Sequence, residues 1–266
     1  MKVLFLLFQL CYIFYMQRII LTFLRRSIMD NFEYLDDKQW SPLWERYLAN
    51  ALAFDPSLAH EINCIIPIPQ KTGVLIFTDD HIYFSKVSAI ATLHRFSLKH
   101  SFPEYRVLSL CLKETGCFGK YKFPWVCPYF CLFPLEGKDQ TTWINPYKIS
   151  SIFKRQGQHY AEMTNGLHLI LPVQRRRVIS RAELACLILA TMRRGFFHFV
   201  IPGYMPLDYL YFPNTAFADT LRAQSKLKKF RTALGELNHL YNRTYSLYHC
   251  EELIDDPRDI DGIDWL

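Results

Sequence analysis

The sequence predicts an α+β protein with a β-rich, mostly antiparallel core, flanking helices and a helical C-terminal region. Short runs of β-branched and aromatic residues, separated by turn residues, recur between Ile62 and Phe153. An Asn165-Gly166 pair separates two further runs, HYAEMT and LHLILP, and both residues tolerate the positive φ of a two-residue hairpin turn. Helix start and stop signals lie on both sides of these runs. Local strand pairing and separate helices together favour the α+β class.

The predicted strands are short and close together along the chain. They cover Ile62–Ile68, Val74–Phe77, His81–Phe84, Tyr105–Leu112, Tyr129–Leu135, Thr142–Ile144 and Lys148–Phe153. Residues 87–100 are ambiguous and are compatible with a helix. Pro172 follows the last apolar run and is expected to close the final strand.

Three helices are predicted outside the strands. The first runs from Lys38 to Phe54. A second is expected to begin at a capping box formed by Ser180 and Glu183 and to end at Gly195. The third, residues 215–241, has an apolar stripe at three- and four-residue spacing. That stripe consists of Leu227, Phe230, Leu234, Leu237 and Tyr241, and a neighbouring face carries Arg222, Lys226 and Lys229. This helix could dock on its own core with a solvated basic side, form a dimer, or follow phosphates.

Charge and composition divide the chain into four segments. These are an apolar extension (1–28), a β-rich core (29–195), an aromatic segment with a basic helix (196–249) and an acidic tail (250–266). The tail holds seven acidic residues and one basic residue, whereas the whole chain has a net charge of +6. A basic body with an acidic tail favours a nucleic-acid or anionic-membrane partner over a neutral metabolite.

The apolar extension leaves the location of the protein open at this point. Residues 3–24 are strongly apolar, with Arg18 as their only charge. They could be a signal anchor, an amphipathic surface helix, or an extension upstream of a start at Met29. An anchor followed by Arg25 and Arg26 would leave the body in the cytoplasm. We therefore expect a cytoplasmic body, with a membrane contact only if residues 3–24 are translated and inserted.

Catalytic and metal-binding patterns are missing from the sequence. The eight cysteines are scattered without a C-x-x-C pair, so we expect reduced thiols and no metal site. Cys186 lies on an apolar helix face and is expected in the core. The chain contains no G-x-S-x-G, H-E-x-x-H or Walker motif. We expect a non-enzymatic protein without a cofactor.

A basic cluster at the start of the second helix is the strongest functional feature. Arg175, Arg176 and Arg177 follow the last strand at once, and Arg181 comes four residues later. Residues 151–195 hold eight Lys or Arg against two acidic residues. Guanidinium groups suit phosphate contacts, and arginine in a narrow A-tract minor groove responds to DNA shape. Exposed charges on an ordinary surface loop are the alternative. Arg193 and Arg194 have a separate explanation, since cations are favourable at a helix C-terminus.

The succession of five short motifs resembles the competence transcription factor ComK family of Gram-positive bacteria. The motifs are Phe118-Gly119, FCLFP at Phe130–Pro134, Trp143-Ile144, Asn165-Gly166 and Leu171-Pro172. Family members also carry an F-M-L-Y-P-K segment that an adaptor recognises for delivery to a Clp protease. Here Tyr209, Leu210, Tyr211, Phe212 and Pro213 lie in a matching place, but Asn214 replaces the terminal lysine.

The resemblance implies a DNA-binding activator of DNA-uptake genes, which acts as an oligomer on A/T-rich boxes through the minor groove. A Clp adaptor would be a further partner. From charge and placement we predict DNA contacts by Arg175, Arg176, Arg177 and Arg181, with Arg222, Lys226 and Lys229 following phosphates. The alternative is a membrane-anchored or partner-docking binding module with a basic face.

Overall fold

The computed structural model describes residues 33–137, 140–195 and 203–255. The chain divides into two units, Met1–Tyr34 and Leu35–Leu266, and the fold below is that of the second unit. The predicted apolar extension 1–28, the start at Met29, residues 196–202 of the aromatic segment and the acidic tail from residue 256 lie outside the described residues.

A seven-stranded mixed sheet forms the centre of the fold and confirms the α+β class. Its strands are β1 (Leu52–Ala53), β2 (Cys64–Pro67), β3 (Val74–Phe77), β4 (Ile82–Ser85), β5 (Trp125–Val126), β6 (Cys131–Pro134) and β7 (Trp143–Ile144), in the order β1-β4-β3-β2-β7-β6-β5. All neighbours are antiparallel except β1 and β4.

A second, three-stranded antiparallel sheet carries the predicted hairpin. It contains β8 (Ile149–Arg155), β9 (Gln158–Met163) and β10 (His168–Leu171), in the order β10-β9-β8. Leu35 adds an isolated parallel bridge to Leu169. Strands that are consecutive in the sequence are therefore adjacent in this sheet.

Six α-helices surround the sheets within the described residues. They are α1 (Pro42–Asn50), α2 (Ala89–His100), α3 (Tyr105–Glu114), α4 (Arg175–Gly195), α5 (Ala216–Arg222) and α6 (Glu236–Asp255). Short 3-10 turns cover Pro146–Lys148, Pro206–Tyr209 and Ser225–Lys228. The ambiguous residues 87–100 are thus largely helical.

Both faces of the large sheet are buried, which explains why its strands are continuous apolar runs. On β2, Ile65 belongs to a cluster that also contains Phe96 of α2, whereas Ile66 belongs to the cluster around α4. Cys186 of α4 is fully buried, as the sequence predicts. Phe133 and Ile144, from two of the ComK-like motifs, are buried partners on adjacent strands.

The strand predicted over Tyr105–Leu112 is wrong, because this segment forms α3. Its buried residues are Val107, Leu108, Cys111 and Leu112, at the spacing of one helical face. The run YRVLSLCL also alternates apolar and polar residues over part of its length, so a strand and a helix compete locally. Packing against α6 favours the helix.

The single final helix predicted over residues 215–241 is also wrong. Thr215 does cap a helix, since its hydroxyl accepts a hydrogen bond from the Ala218 N–H, but this helix ends at Arg222. The chain then turns so that Leu227 is fully buried. A new helix, α6, begins at Glu236 directly after Gly235, whose φ is +77°. Tertiary packing thus breaks a pattern that is periodic in the sequence.

Candidate nucleic-acid interface

Helix α4 begins five residues earlier than the predicted capping box, at Arg175. The carbonyl of Gln174 accepts hydrogen bonds from the N–H groups of Arg177 and Val178, and Val178 is fully buried. The Glu183 carboxylate does not cap the helix, because it binds Lys226. The three consecutive arginines therefore occupy the first turn of a 21-residue helix rather than a loop.

The first turn of α4 is strongly electropositive. Arg175, Arg176 and Arg177 are all exposed, and this turn contains no acidic residue. Among the described residues, none of their guanidinium groups has a hydrogen bond or an ion pair. The N-terminus of a helix carries a partial positive charge, so cations there are unfavourable unless an anion is present. The folded protein holds three positive charges where a bound anion would stabilise them.

Arg181 lies one turn further along α4 and is held more closely by the protein. Its Nη1 donates a hydrogen bond to the carbonyl of Pro134 at 3.2 Å. Burial, and then the neighbouring charge of Arg177, lower the pKa of Arg181 from its ordinary value. Arg177 and Arg181 are thus like charges on one helix face, so Arg181 adds to the field of the cluster.

An open groove of about 550 Å³ runs beside the first turns of α4. It is lined by Arg175, Arg176, Ile179, Ser180, Glu183 and Gln224. The one carboxylate in this lining, Glu183, is buried and paired with Lys226 at 2.8 Å. The arginines therefore determine the charge along this side of the groove.

The Asn165-Gly166 hairpin is confirmed, but its turn differs from the predicted one. Gly166 has a φ of +83°, whereas Asn165 does not adopt a positive φ. The N–H of Gly166 donates to the carbonyl of Met163, and the N–H of Met163 donates to the carbonyl of Leu167. This pattern is that of a three-residue loop with glycine at the left-handed position.

This turn also lies away from the arginines. The Asn165 side chain donates to the carbonyl of Thr78 at 3.3 Å. Together with Asp79, Asp80 and His81, the turn lines a depression of about 270 Å³. Strand β10 runs from this acidic end toward α4, so the Asn165-Gly166 turn and the arginines lie at opposite ends of β10.

A different hairpin turn lies at the arginine end of the small sheet. Gln156 and Gly157 connect β8 and β9 with φ values of 48° and 85°, the positive pair of a type I′ turn. Lys154 and Arg155 immediately precede this turn. Both residues contribute to the net positive charge of residues 151–195, but the sequence alone does not show where they lie in the fold. Gly157 between two strand-like runs is the signal that could have located the turn.

The predicted phosphate-following residues do not share one helix face. Arg222 ends α5, where it pairs with Asp219 and donates to the carbonyls of Phe212 and Pro213. Lys226 lies in a 3-10 turn and pairs with the buried Glu183. Lys229 follows that turn and is exposed. Only Lys229 of the three offers a charge that the protein does not use itself.

The segment matched to the adaptor motif is largely built into the core. Tyr209 and Leu210 are buried, and the carbonyl of Tyr209 accepts a hydrogen bond from Arg193 at 2.8 Å. Phe212 packs edge-on against Tyr147. Tyr211 is the exception, with 70% of its surface exposed. An adaptor could reach Tyr211 directly, whereas Tyr209 and Leu210 would have to be released from the core first.

The arginines at the other end of α4 are structural. Arg193 is buried and donates to the carbonyls of Pro128, Tyr129 and Tyr209 at 2.7–2.8 Å. Arg194 donates to the carbonyls of Thr232 and Ala233 and stacks on Phe230 at 3.6 Å. Their surroundings explain their presence more fully than the helix dipole alone.

Comparisons with known proteins found no match: no family model, no curated protein and no solved structure corresponds significantly to this chain. Within the described residues, no helix combines the length and hydropathy needed to span a membrane. No cluster of histidine, cysteine and carboxylate side chains in that part of the chain is arranged to hold a metal ion. The seven described cysteines are free thiols.

Proposed function

We propose that this protein is a non-enzymatic, DNA-binding transcriptional activator of competence genes that recognises A/T-rich boxes. The observation that carries the proposal is the first turn of α4, where three exposed arginines have no acidic partner among the described residues. Such a turn combines exposed cationic side chains with the positive end of a long helix. DNA phosphates supply the anions that this arrangement lacks.

The DNA backbone is proposed to lie in the groove beside α4. Arg175 and Arg176 line it, and Ser180 adds a hydroxyl donor one turn later. The planar guanidinium group binds phosphate oxygens through two hydrogen bonds. We propose that these two arginines hold the backbone, while Arg177 and Arg181 extend the positive field and Lys229 contacts a neighbouring phosphate.

The resemblance of the five short motifs to the ComK family is the basis for proposing a role in competence. Phe133 and Ile144 are cross-strand partners, and Trp143 is fully buried on the same strand as Ile144. These motifs therefore support the scaffold rather than the DNA contact itself. Competence control, minor-groove binding, homo-oligomer formation and a Clp adaptor as partner are proposed from the resemblance, whereas a cytoplasmic location is proposed from the basic residues Arg25 and Arg26 after the apolar residues 3–24.

The proposal is tested by fluorescence anisotropy with the full chain. Two duplexes of equal length are compared across a salt series, one with A/T boxes and one scrambled and G/C-rich. We expect tighter binding to the A/T duplex and a steep decrease of affinity with salt, because cationic contacts release counterions. Absence of binding to either duplex at moderate salt would contradict the proposal, and equal affinities would remove its A/T specificity.

A further inference from the structure

We infer that the tip of the β8–β9 hairpin, residues 154–157, is a second DNA-contacting element that enters the minor groove beside the arginines of α4. This inference rests on the proposed function and assigns to a particular element the part of the site that recognises A/T-rich DNA. The tip is outside every motif of the family resemblance. Its assignment follows from its position, its accessibility and its charge.

The register of the small sheet places the tip next to the start of α4. Leu171 of β10 pairs with His159 of β9, which pairs with Lys154 of β8. Two strand spacings separate Leu171 from Lys154, which is about 10 Å between their Cα atoms. Arg175 follows Leu171 by only four residues. The hairpin tip and the basic turn thus lie at the same end of the sheet.

A side-chain hydrogen bond fixes this arrangement. The Nε2 atom of Gln158, directly after the turn, donates to the carbonyl of Leu171 at 2.7 Å. It joins the base of the hairpin tip to the last residue of β10, just before the chain enters α4. This hydrogen bond therefore helps to fix the position of the tip relative to the first turn of α4. Two elements that contact the same duplex need such a fixed relative position.

The turn itself is narrow and unobstructed. Gln156 and Gly157 are exposed, and a Cβ atom added at Gly157 would meet no atom within 4 Å. A two-residue type I′ turn is the tightest connection that joins two antiparallel strands. The minor groove is about 6 Å across, only half the width of the major groove. A narrow turn allows the side chains at the tip to enter it.

The charge of the tip suits a narrow A/T groove. Lys154 is exposed, and the side chain of Gln156 supplies an amide donor at the outermost point. The only carboxylate of residues 149–163, Glu162, accepts a hydrogen bond from Ser151 further along the hairpin. Narrow A-tract minor grooves have an enhanced negative potential that attracts basic side chains. The tip can therefore recognise groove shape, while the arginines of α4 bind phosphates.

The decisive variant is Gln156→Glu, which adds one negative charge at the tip without changing its shape. The matched control is Gln70→Glu, because Gln70 is also exposed and also has a left-handed φ, of 59°, in the turn after β2. Lys154→Ala is paired with Lys86→Ala, an exposed lysine after β4. Binding of the full-length variants to A/T and G/C duplexes is measured by anisotropy at fixed salt.

We expect Gln156→Glu and Lys154→Ala to lower affinity for the A/T duplex by about fivefold or more. The affinity for the G/C duplex should change less, so the ratio of the two affinities falls. Both control variants should stay within about twofold of the wild-type protein. If wild-type protein binds with A/T preference and the tip variants behave like their controls, the inference is wrong and the proposed function stands. If wild-type protein binds no DNA, both are wrong.

Discussion

The two ends of helix α4 carry arginines in opposite settings. At the N-terminus, Arg175–Arg177 lie at the positive end of the helix dipole, are exposed and bind no described acidic group. At the C-terminus, Arg193 and Arg194 lie at the favourable end, and together they donate hydrogen bonds to five backbone carbonyls. The first group is oriented toward solvent and the second toward the protein.

This difference shows that the charge of a segment does not reveal the role of its residues. All five arginines contribute equally to the net charge of residues 151–195. Arg193 and Arg194 have become part of the scaffold, because backbone carbonyls satisfy their donors. The guanidinium N–H groups of Arg175, Arg176 and Arg177 have no such acceptors among the described residues and can therefore bind a ligand. Arginines that the fold does not use are the better candidates for binding.

The largest effect is expected from Arg193→Met, which removes a buried guanidinium group at the C-terminus of α4 and should lower the stability of the protein. Its three carbonyl acceptors would lose a charged donor, and each such hydrogen bond contributes about 1.5–3 kcal/mol. We expect a loss of about 3 kcal/mol or more in unfolding free energy, and a decrease in Tm of about 6 °C or more. Chemical and thermal unfolding followed by circular dichroism measure both quantities.

Arg176→Met on the same helix is the control for this experiment. Arg176 is exposed and should leave the Tm within about 1 °C of wild type. DNA binding of Arg193→Met, measured well below its Tm, should stay within about twofold of wild type. If Arg193→Met keeps the stability of the wild-type protein but binds DNA more weakly, Arg193 contributes to DNA binding rather than to the fold, and the contrast between the two ends of α4 is wrong.

A smaller effect is expected from Lys226→Met, which tests whether a basic residue near the groove serves the fold or the DNA. Lys226 was predicted to follow phosphates, but it pairs with the buried Glu183 at 2.8 Å. Its removal leaves that carboxylate without its cationic partner, at a cost of about 1–3 kcal/mol in unfolding free energy. Urea unfolding measures the loss.

The double variant Glu183→Gln/Lys226→Met is the control for the pair. The glutamine oxygen can still accept the hydrogen bond from the backbone N–H of residue 226, and the buried charge is gone. We expect part of the lost stability to return in this variant. If Lys226→Met instead leaves stability unchanged and lowers DNA affinity about tenfold, Lys226 is a phosphate contact after all.

Much of the fold was predictable because its strands are short, apolar and separated by clear turns. Val74–Phe77 was predicted with the bounds that the structure shows, and β6, β7 and the hairpin of β9 and β10 fall where expected. The errors at α3 and in residues 215–241 have one physical cause. In both, the local pattern allows two structures, and distant contacts decide between them.

The candidate site was predictable in part. The arginine cluster follows from composition, but its position in a helical turn does not, because α4 begins at Arg175 and the predicted capping residue Glu183 instead binds Lys226, 43 residues away. The sequence does not reveal the hairpin tip, because strand register rather than sequence proximity places Lys154 at the same end of the small sheet as Arg175. Burial of Tyr209 and Leu210 likewise depends on contacts that the sequence does not display.

The most direct test of the central claim is the salt dependence of DNA binding by the triple variant Arg175→Gln/Arg176→Gln/Arg177→Gln. Its control is Lys86→Gln/Lys99→Gln/Lys113→Gln, which removes the same number of exposed positive charges elsewhere. We expect the arginine variant to lose affinity for the A/T duplex about 100-fold, with a salt slope shallower by about 2–3. Its Tm should be unchanged or slightly raised, because cations leave the positive end of the helix dipole. Equal affinities and slopes for the two variants would contradict the claim.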